Sequence, residues 1–455
     1  MKQTECTGEQ LGFQEVGRRA VVVDFEGGHL SSDGGAVMLR EVDRNRRILA
    51  QFAACFRDMR DGSRIHHTIE EMVRQRVFGL ALGYEDLNDH DHLRNDPMMG
   101  LLAERKDSDR ALAGKSTLNR LELGSGYGDD RYKKIVADQD AIDRFLVNVF
   151  TQSFEVAPER VVLDMDTTDA VLHGNQEGRH FLSHFGEYCY LPLYVTSGDH
   201  LLCARLREAN VDAASGTVDE LERIVEQIRK RWPHVPIVIR ADSGFCRDQI
   251  LSWCEEQGVD FVIGLQKNSR LEQLIADELQ QARQESEQTS QPVRRYRDFR
   301  YQTRESWTRE RRVIAKAEHL LDKSNPRFVV TSLTELDAKT IYETEYCGRG
   351  DMENRIKEQK SFMFADRLSA ATIRANQLRL SFSAAAYVLL SAFRRDALKG
   401  TEFEKAQCDT IRLKLLKIGA RVRVTTRRVW ISLSSSYPFI GTFRKICASL
   451  AHASP

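Results

Sequence analysis

The chain contains no uninterrupted apolar stretch of membrane-spanning length, roughly 18 residues or more, so no transmembrane helix is expected. Its start, Met1-Lys-Gln-Thr-Glu-Cys-Thr-Gly-Glu9, has no apolar segment of the secretory type. Nine cysteines are an odd number, and no two of them form a Cys-x-x-Cys pair. That argues against structural zinc and against a disulfide framework, and for reduced thiols in the cytosol. A Gly-x4-Gly-Lys-[Ser/Thr] loop is absent, so no nucleotide cofactor is indicated. No internal repeat or low-complexity tract stands out. What is present is 455 residues, 41% of them hydrophobic. That is length and apolar content enough for roughly two to four folded units.

Charge is balanced overall but segregated along the chain. Lys and Arg number 67, as do Asp and Glu. Yet Ala371–Pro455 holds 15 basic against 4 acidic residues, and Pro292–Val330 holds 11 against 5. The remainder is therefore net acidic. A single charge run is ordinarily a solvated helix face. Two basic zones in a neutral protein point instead to a polyanionic partner held by particular surfaces, which makes DNA the expected partner.

Three acidic positions carry the chemistry. Asp166 closes the run Val161-Val-Leu-Asp-Met-Asp166, and Asp242 closes Pro236-Ile-Val-Ile-Arg-Ala-Asp242. Glu353 lies in a later, helical segment. Two carboxylates leaving strands and a third on a helix form the donor set of a two-metal phosphoryl-transfer site. Hard divalent cations take oxygen ligands, and a pair of them clamps the attacking and leaving oxygens of an in-line displacement. The expected cofactor is Mg2+, two ions per site, with Mn2+ as a substitute. Asp164 stands two residues before Asp166 and shares its strand face, so it remains an alternative first ligand. Asp169 is a third choice, and a purely structural aspartate at a strand end is the plain alternative.

Around Glu353 the spacing is unusual: Tyr346, two residues, Arg349, three residues, Glu353, six residues, Lys360. At about 100° per residue, all four fall on an arc of about 60° of one helix. One carboxylate ringed by two cations and a phenol suits a metal ligand flanked by phosphate contacts. The plain alternative is an exposed i,i+4 ion pair between Arg349 and Glu353, worth tenths of a kcal/mol. Gly348 and Gly350 are poor helix residues. The regular helix is therefore expected from about Asp351, with Tyr346 and Arg349 on the turn before it.

This spacing is similar to the Tyr-Arg-Glu-Lys signature of the IS4-like DDE transposases, and the wider text resembles the IS1380 family. The closer likeness rests on Phe78-Gly-Leu-Ala-Leu-Gly-Tyr-Glu-Asp-Leu-Asn-Asp89, His173-Gly-Asn-Gln-Glu-Gly178, Tyr188-Cys-Tyr-Leu-Pro-Leu193, Asp242-Ser-Gly-Phe-Cys246, Arg349-Gly-Asp-Met-Glu-Asn-Arg-Ile-Lys-Glu358 and Leu415-Leu-Lys-Ile-Gly-Ala420. It runs over nearly the whole chain. The resemblance implies a transposase with Asp166, Asp242 and Glu353 as catalytic metal ligands, Asp166 being favoured over Asp164 by its Asp-Thr-Thr context. It implies cut-and-paste movement, with or without a hairpin on the element end, and a homodimer whose subunits each grip one terminal inverted repeat. It also implies a bacterial, nucleoid-associated location. Relatives use a tryptophan in a strand-rich insertion to stack a flipped base. Trp307 is the candidate here, with a core tryptophan as the alternative. Lys267, just past a strand, is a candidate phosphate contact or a plain loop residue.

The element pattern divides the chain into five parts. Residues 1–155 read as a mainly helical N-terminal domain suited to DNA-end binding. Its helices are expected near 35–46, 68–82, 86–93 and 139–150. Residues 156–266 alternate strands (161–167, 189–196, 200–207, 236–241, 259–265) with helices (216–231, 247–257), in an order that resembles an RNase H-like α/β core. Residues 267–336 read as a strand-rich insertion. Residues 337–398 resume the core with the Glu353 helix and a long apolar helix. Residues 399–455 read as a basic C-terminal region for DNA contact or dimerisation, in which Arg421–Ser432 alternates like one strand with a basic face.

Competing readings remain open from sequence. A structure-selective nuclease on the same core, a catalytically silent DNA-binding derivative, and an enzyme acting on hybrids are the alternatives. The last is disfavoured by the long insertion. His90-Asp91-His92 is the one rival metal motif, but residues two apart on a helix face away from each other.

Overall fold

The strand Val161–Thr167 shows how this chain folds. Leu163 and Met165 are buried in the main core, while Asp164 and Asp166 alternate onto the opposite face. The structure is a computed structural model that describes residues 10–105, 107, 110–123, 134–183 and 186–452. It forms two compact units.

The larger unit comprises residues 51–60 and 122–391. Its centre is an eight-stranded sheet of β1 (Val161–Thr167), β2 (Leu193–Ser197), β3 (His200–Arg205), β4 (Ile237–Ala241), β5 (Asp260–Leu265), β6 (Val293–Tyr301), β7 (Arg311–His319) and β8 (Arg327–Thr331). The spatial order is β3-β2-β1-β4-β5-β8-β7-β6. β1 runs parallel to β4, and β4 to β5; the other neighbours are antiparallel. Thus the segment expected as an insertion does not form a sheet of its own. Its strands extend the sheet through β8, which pairs along β5.

Helices α1 (Gln139–Gln152), α2 (Thr217–Arg231), α3 (Asp248–Gln257) and α4 (Ala276–Thr289) also belong to this unit. Leu163, Met165, Ile239 and Phe261 of the sheet share one core with Ile224 of α2 and Leu251 of α3. Each such fully buried side chain contributes about 1.5–3 kcal/mol. On the other face, Val238, Val262, Ile314 and Val329 pack against Ile341 and Tyr342.

Those two residues open a continuous helical run. A short α-turn (Ala338–Thr340) passes into a π-helical turn (Ile341–Tyr346) and a 3-10 turn (Cys347–Gly350). Helix α5 (Asp351–Lys357) and a second π-turn (Glu358–Phe362) follow. The regular α-helix does begin at Asp351, but Tyr346 and Arg349 sit on helical turns rather than in a loop. Helix α6 (Ile373–Ala397) comes next.

Two expectations are corrected in this unit. The stretch 189–196 is two strands, because Pro192 offers no N–H to a ladder. Glu187–Tyr190 instead pairs with Ala170–Val171 and His180–Leu182 in a small separate sheet. And α1, expected at the end of an N-terminal domain, belongs with the sheet.

The smaller unit joins residues 1–50, 61–121 and 392–455, so the ends of the chain form one body rather than two regions. Leu30–Ser31 pairs with Ala420–Arg421, Lys417 Nζ lies 2.7 Å from Asp33, and Arg412 donates to the Leu80 and Ala81 carbonyls. Its helices include Ala36–Arg46 and Ile69–Ala81. Arg421–Ser432 is a hairpin, Ala420–Val424 with Val429–Leu433, not a single strand. His90 is fully buried and His92 exposed, so the rival metal motif does not converge.

Candidate active site

Register places the aspartates. On the parallel pair β1/β4, Arg240 lies opposite Asp164 and Ala241 opposite Met165. One more step sets Asp242 abreast of Asp166 at the carboxyl ends of adjacent parallel strands, where open α/β sheets expose their crevices. Asp242 turns the chain sharply: its carboxylate accepts from the Gly244 N–H at 2.8 Å and starts the 3-10 turn Ser243–Phe245.

Glu353 approaches from α5 and is joined to β1 by one side chain. Arg349 donates to Asp166 Oδ2 at 3.0 Å and to Glu353 Oε1 at 3.3 Å. The i,i+4 pair foreseen from sequence therefore exists, but Arg349 also reaches across to the first aspartate. Burial, aided by repulsion from Asp242 and Glu353, outweighs the pull of Arg349 and pushes the Asp166 carboxyl up to about 6. Burial would lower the Arg349 guanidinium, but Asp166 and its neighbours hold it above its ordinary value. These groups act on one another as one charged cluster.

Asp164, the alternative first ligand, is closed off. It is buried, and Arg240 grips it with Nε at 2.6 Å and Nη2 at 2.8 Å. Burial still raises its carboxyl above the usual range. Arg240 was not singled out in the sequence, although it stands two residues before Asp242 just as Asp164 stands two before Asp166. It also explains Gly348: a Cβ there would lie 2.5 Å from Arg240 Nη1. A side chain at this position would have to displace that guanidinium.

Tyr346 reaches the second aspartate's turn. A Cβ on Gly264 of β5 would lie 2.7 Å from the Tyr346 hydroxyl and 2.9 Å from the Ser243 nitrogen. The phenol is thus lodged against the turn that carries Asp242, and burial raises its pKa. Lys360 binds Asp169 Oδ1 at 3.0 Å and Thr168 Oγ1 at 3.2 Å. Burial pushes the Asp169 carboxyl up, but the Lys360 hydrogen bond outweighs it and leaves the group below its usual range. Asp166, Thr168, Glu353, Lys357 and Lys360 line a cleft of about 430 Å³.

Two other sequence candidates lie elsewhere. Trp307 is 5% exposed, packs on Tyr301, and has the Arg311 guanidinium 5.4 Å from its ring centre. It is a core tryptophan, and its ring is not open to a base. Lys267 is on an exposed loop after β5, 3.5 Å from Glu272.

The donor set of Asp166, Asp242 and Glu353 is oxygen only, as a hard divalent cation requires. Among the described residues, no three His, Cys, Asp or Glu side chains are gathered closely enough to hold a metal ion. The Arg349 guanidinium stands among these carboxylates and supplies the positive charge there.

A family model described as "Transposase DDE domain group 1" matches residues 13–455. The chain belongs to the DDE transposases of group 1. Such a domain is in general an enzyme of DNA cleavage and transfer that uses divalent metal. No curated protein matches the chain. A solved piggyBac transposase synaptic complex with hairpin DNA is similar at a TM-score of 0.42 and 11% identity, over 93% of this chain and 86% of that one. Among the described residues, no helix is long and apolar enough to cross a membrane.

Proposed function

We propose that this transposase serves an IS1380-type insertion sequence and moves it by cut-and-paste, using Asp166, Asp242 and Glu353 as its catalytic carboxylates. The observation that carries this reading is an arrangement: Asp166 and Asp242 at the ends of adjacent parallel strands, and a helix-borne glutamate tied to the first of them by Arg349. The strand order β3-β2-β1-β4-β5, followed later by the glutamate helix, supports an RNase H-like core.

The three carboxylates would hold two Mg2+ ions, or Mn2+ in their place, supplying Lewis acidity and an activated water for phosphodiester hydrolysis. The chain's own groups do the rest. Arg349, released from Asp166, presents a planar fork to a DNA phosphate. Lys360 adds a point charge beside the cleft, and Tyr346 buttresses the Asp242 turn. Water attacks the phosphodiester at the element end and displaces its 3′ oxygen as a free 3′-OH; that hydroxyl then attacks a target phosphodiester in the same site and displaces the 3′ oxygen of the target strand. Two subunits, each holding one terminal inverted repeat, complete the reading.

The test is cleavage and joining of labelled inverted-repeat DNA with Mg2+ or Mn2+, wild type against Asp242→Asn. The variant should lose activity by about 10³-fold while still binding DNA. Cutting without joining would reduce the assignment to a nuclease. Identical behaviour of the two proteins would refute the catalytic role of Asp242.

A further inference from the structure

The hairpin Ala420–Leu433 of the smaller unit has two unlike faces. Pairing sets Val422 against Ile431 and Ala420 against Leu433 on the inner face, where Ala420 and Val422 are buried. On the outer face Arg421 lies opposite Ser432, and Arg423 opposite Trp430. The turn adds Arg427 and Arg428. All four arginines are exposed, and none of them makes an ion pair among the described residues.

Trp430 is 46% exposed, and the guanidinium carbons of Arg423 and Arg428 lie 5.9 and 5.7 Å from its ring centre. Trp232 and Trp307 are buried and Trp253 is half-buried, so Trp430 is the exposed indole of the chain. No Asp or Glu follows Asp409 in the sequence. The hairpin therefore has no acidic residue nearby in sequence to quench its charge.

Four clustered guanidinia repel one another, and a solvent-facing tryptophan adds nothing to the core. Both make sense against a polyanion. Arginine is the side chain best matched to phosphate, and an aromatic ring between arginines offers a stacking surface. A two-stranded ribbon also has the width that the major groove of duplex DNA admits, about 12 Å. We infer that this hairpin is a duplex-DNA contact that grips the phosphate backbone through Arg421, Arg423, Arg427 and Arg428, with Trp430 against the sugar or base edge. This rests on the transposase reading for its choice of DNA over other polyanions.

The test uses the full chain and a labelled duplex of arbitrary sequence, with affinity measured by anisotropy across a salt series. Wild type is compared with Arg423→Ala/Arg428→Ala, with the lysine pair Arg423→Lys/Arg428→Lys, and with Trp430→Phe. The alanine pair should weaken binding at least tenfold at low salt and flatten the log–log salt slope by about 2, close to 0.9 for each phosphate no longer neutralised. The lysine pair should restore most of the slope. Adding duplex should quench a tryptophan signal that Trp430→Phe lacks.

Unchanged affinity and slope in the alanine pair would overturn the inference, as would binding to anionic phospholipid vesicles but not to duplex. The two readings fail separately. If the alanine pair binds like wild type while Asp242→Asn still abolishes cleavage, only the hairpin assignment falls. If hairpin-dependent binding holds but no cleavage is seen, only the catalytic reading falls.

Discussion

Two basic stretches, strands β6 and β7 in one zone and the C-terminal hairpin in the other, have opposite fates in the fold. Along β6 and β7 nearly every cation is answered by an acid. Arg294 pairs with Glu318 at 2.6 Å, Arg295 with Glu285 at 2.8 Å, and Arg312 with Asp298 at 2.6 Å. Arg311 pairs with both Asp248 and Glu255, and Lys316 with Glu318. In the C-terminal hairpin, by contrast, Arg421, Arg423, Arg427 and Arg428 make no ion pair among the described residues. A local charge excess is therefore not the same as free charge. The first zone is answered partly by acids that α3 and α4 bring from elsewhere in the chain. The second has no acidic residue after Asp409 to draw on. The β6–β7 stretch is structural; the hairpin within the second zone is available to a partner.

The sharpest way to break that contrast is Arg311→Ala. The side chain is only 2% exposed, and it holds Asp248 Oδ1 at 2.6 Å and Glu255 Oε1 at 2.7 Å while lying over Trp307. Its removal leaves two carboxylates facing a hole. Such loss of one partner from a buried pair costs about 3–5 kcal/mol. Urea unfolding should show a midpoint shift of that size. A change under about 1 kcal/mol would mean that the zone is not structural after all.

A smaller effect is expected from acid. Burial pushes the Glu318 carboxyl up, but hydrogen bonds from Lys316, Arg294 and Asn325 outweigh it and bring the group to about 2. A carboxylate depressed in the folded state stabilises fully above its unfolded pKa, near 4.3, and less and less as pH falls toward 2. The contribution at neutral pH is about 2–3 kcal/mol. Wild type should lose that stability between about pH 4.5 and 2, whereas Glu318→Gln should start lower and vary less over the same window. Parallel pH curves for the two proteins would contradict the pairing.

The same contrast explains what the sequence could convey. The strands β1, β4 and β5 were legible because each is a short apolar run ending at a polar turn, and the place of Asp242 at a strand end followed from that. The place of Glu353 on a helix beginning at Asp351 was legible from spacing and from the two glycines before it. Asp164 and Asp166, two apart on a strand, look alike in pattern, and only the Asp-Thr-Thr context favoured Asp166; the register with β4, which puts Arg240 onto Asp164, is not visible in sequence. Trp307 was ambiguous for a related reason, because its basic neighbours turn out to be paired inward. The union of the chain's two ends depends on Leu30–Ser31 meeting Ala420–Arg421, a pairing too distant for any local pattern. The hairpin was missed because its turn, Thr425-Thr-Arg-Arg428, lacks the Gly or Asn that marks a tight connection. That turn is closed instead by the Thr425 hydroxyl, which accepts from the Arg428 N–H at 3.0 Å.

The smallest expected effect completes the comparison. Arg423→Ala/Arg428→Ala removes two exposed side chains that make no ion pair among the described residues, so nothing buried is left unsatisfied. Surface changes of this kind stay within about 0.5 kcal/mol, and relief of repulsion among the four guanidinia acts in the stabilising direction. Thermal unfolding of this variant at low salt should match or slightly exceed wild type. If it were destabilised as strongly as Arg311→Ala, the hairpin arginines would be holding the fold, and the division between a self-neutralised zone and an open one would fail. Stability retained while DNA affinity falls separates a surface built for a partner from one built for the protein itself.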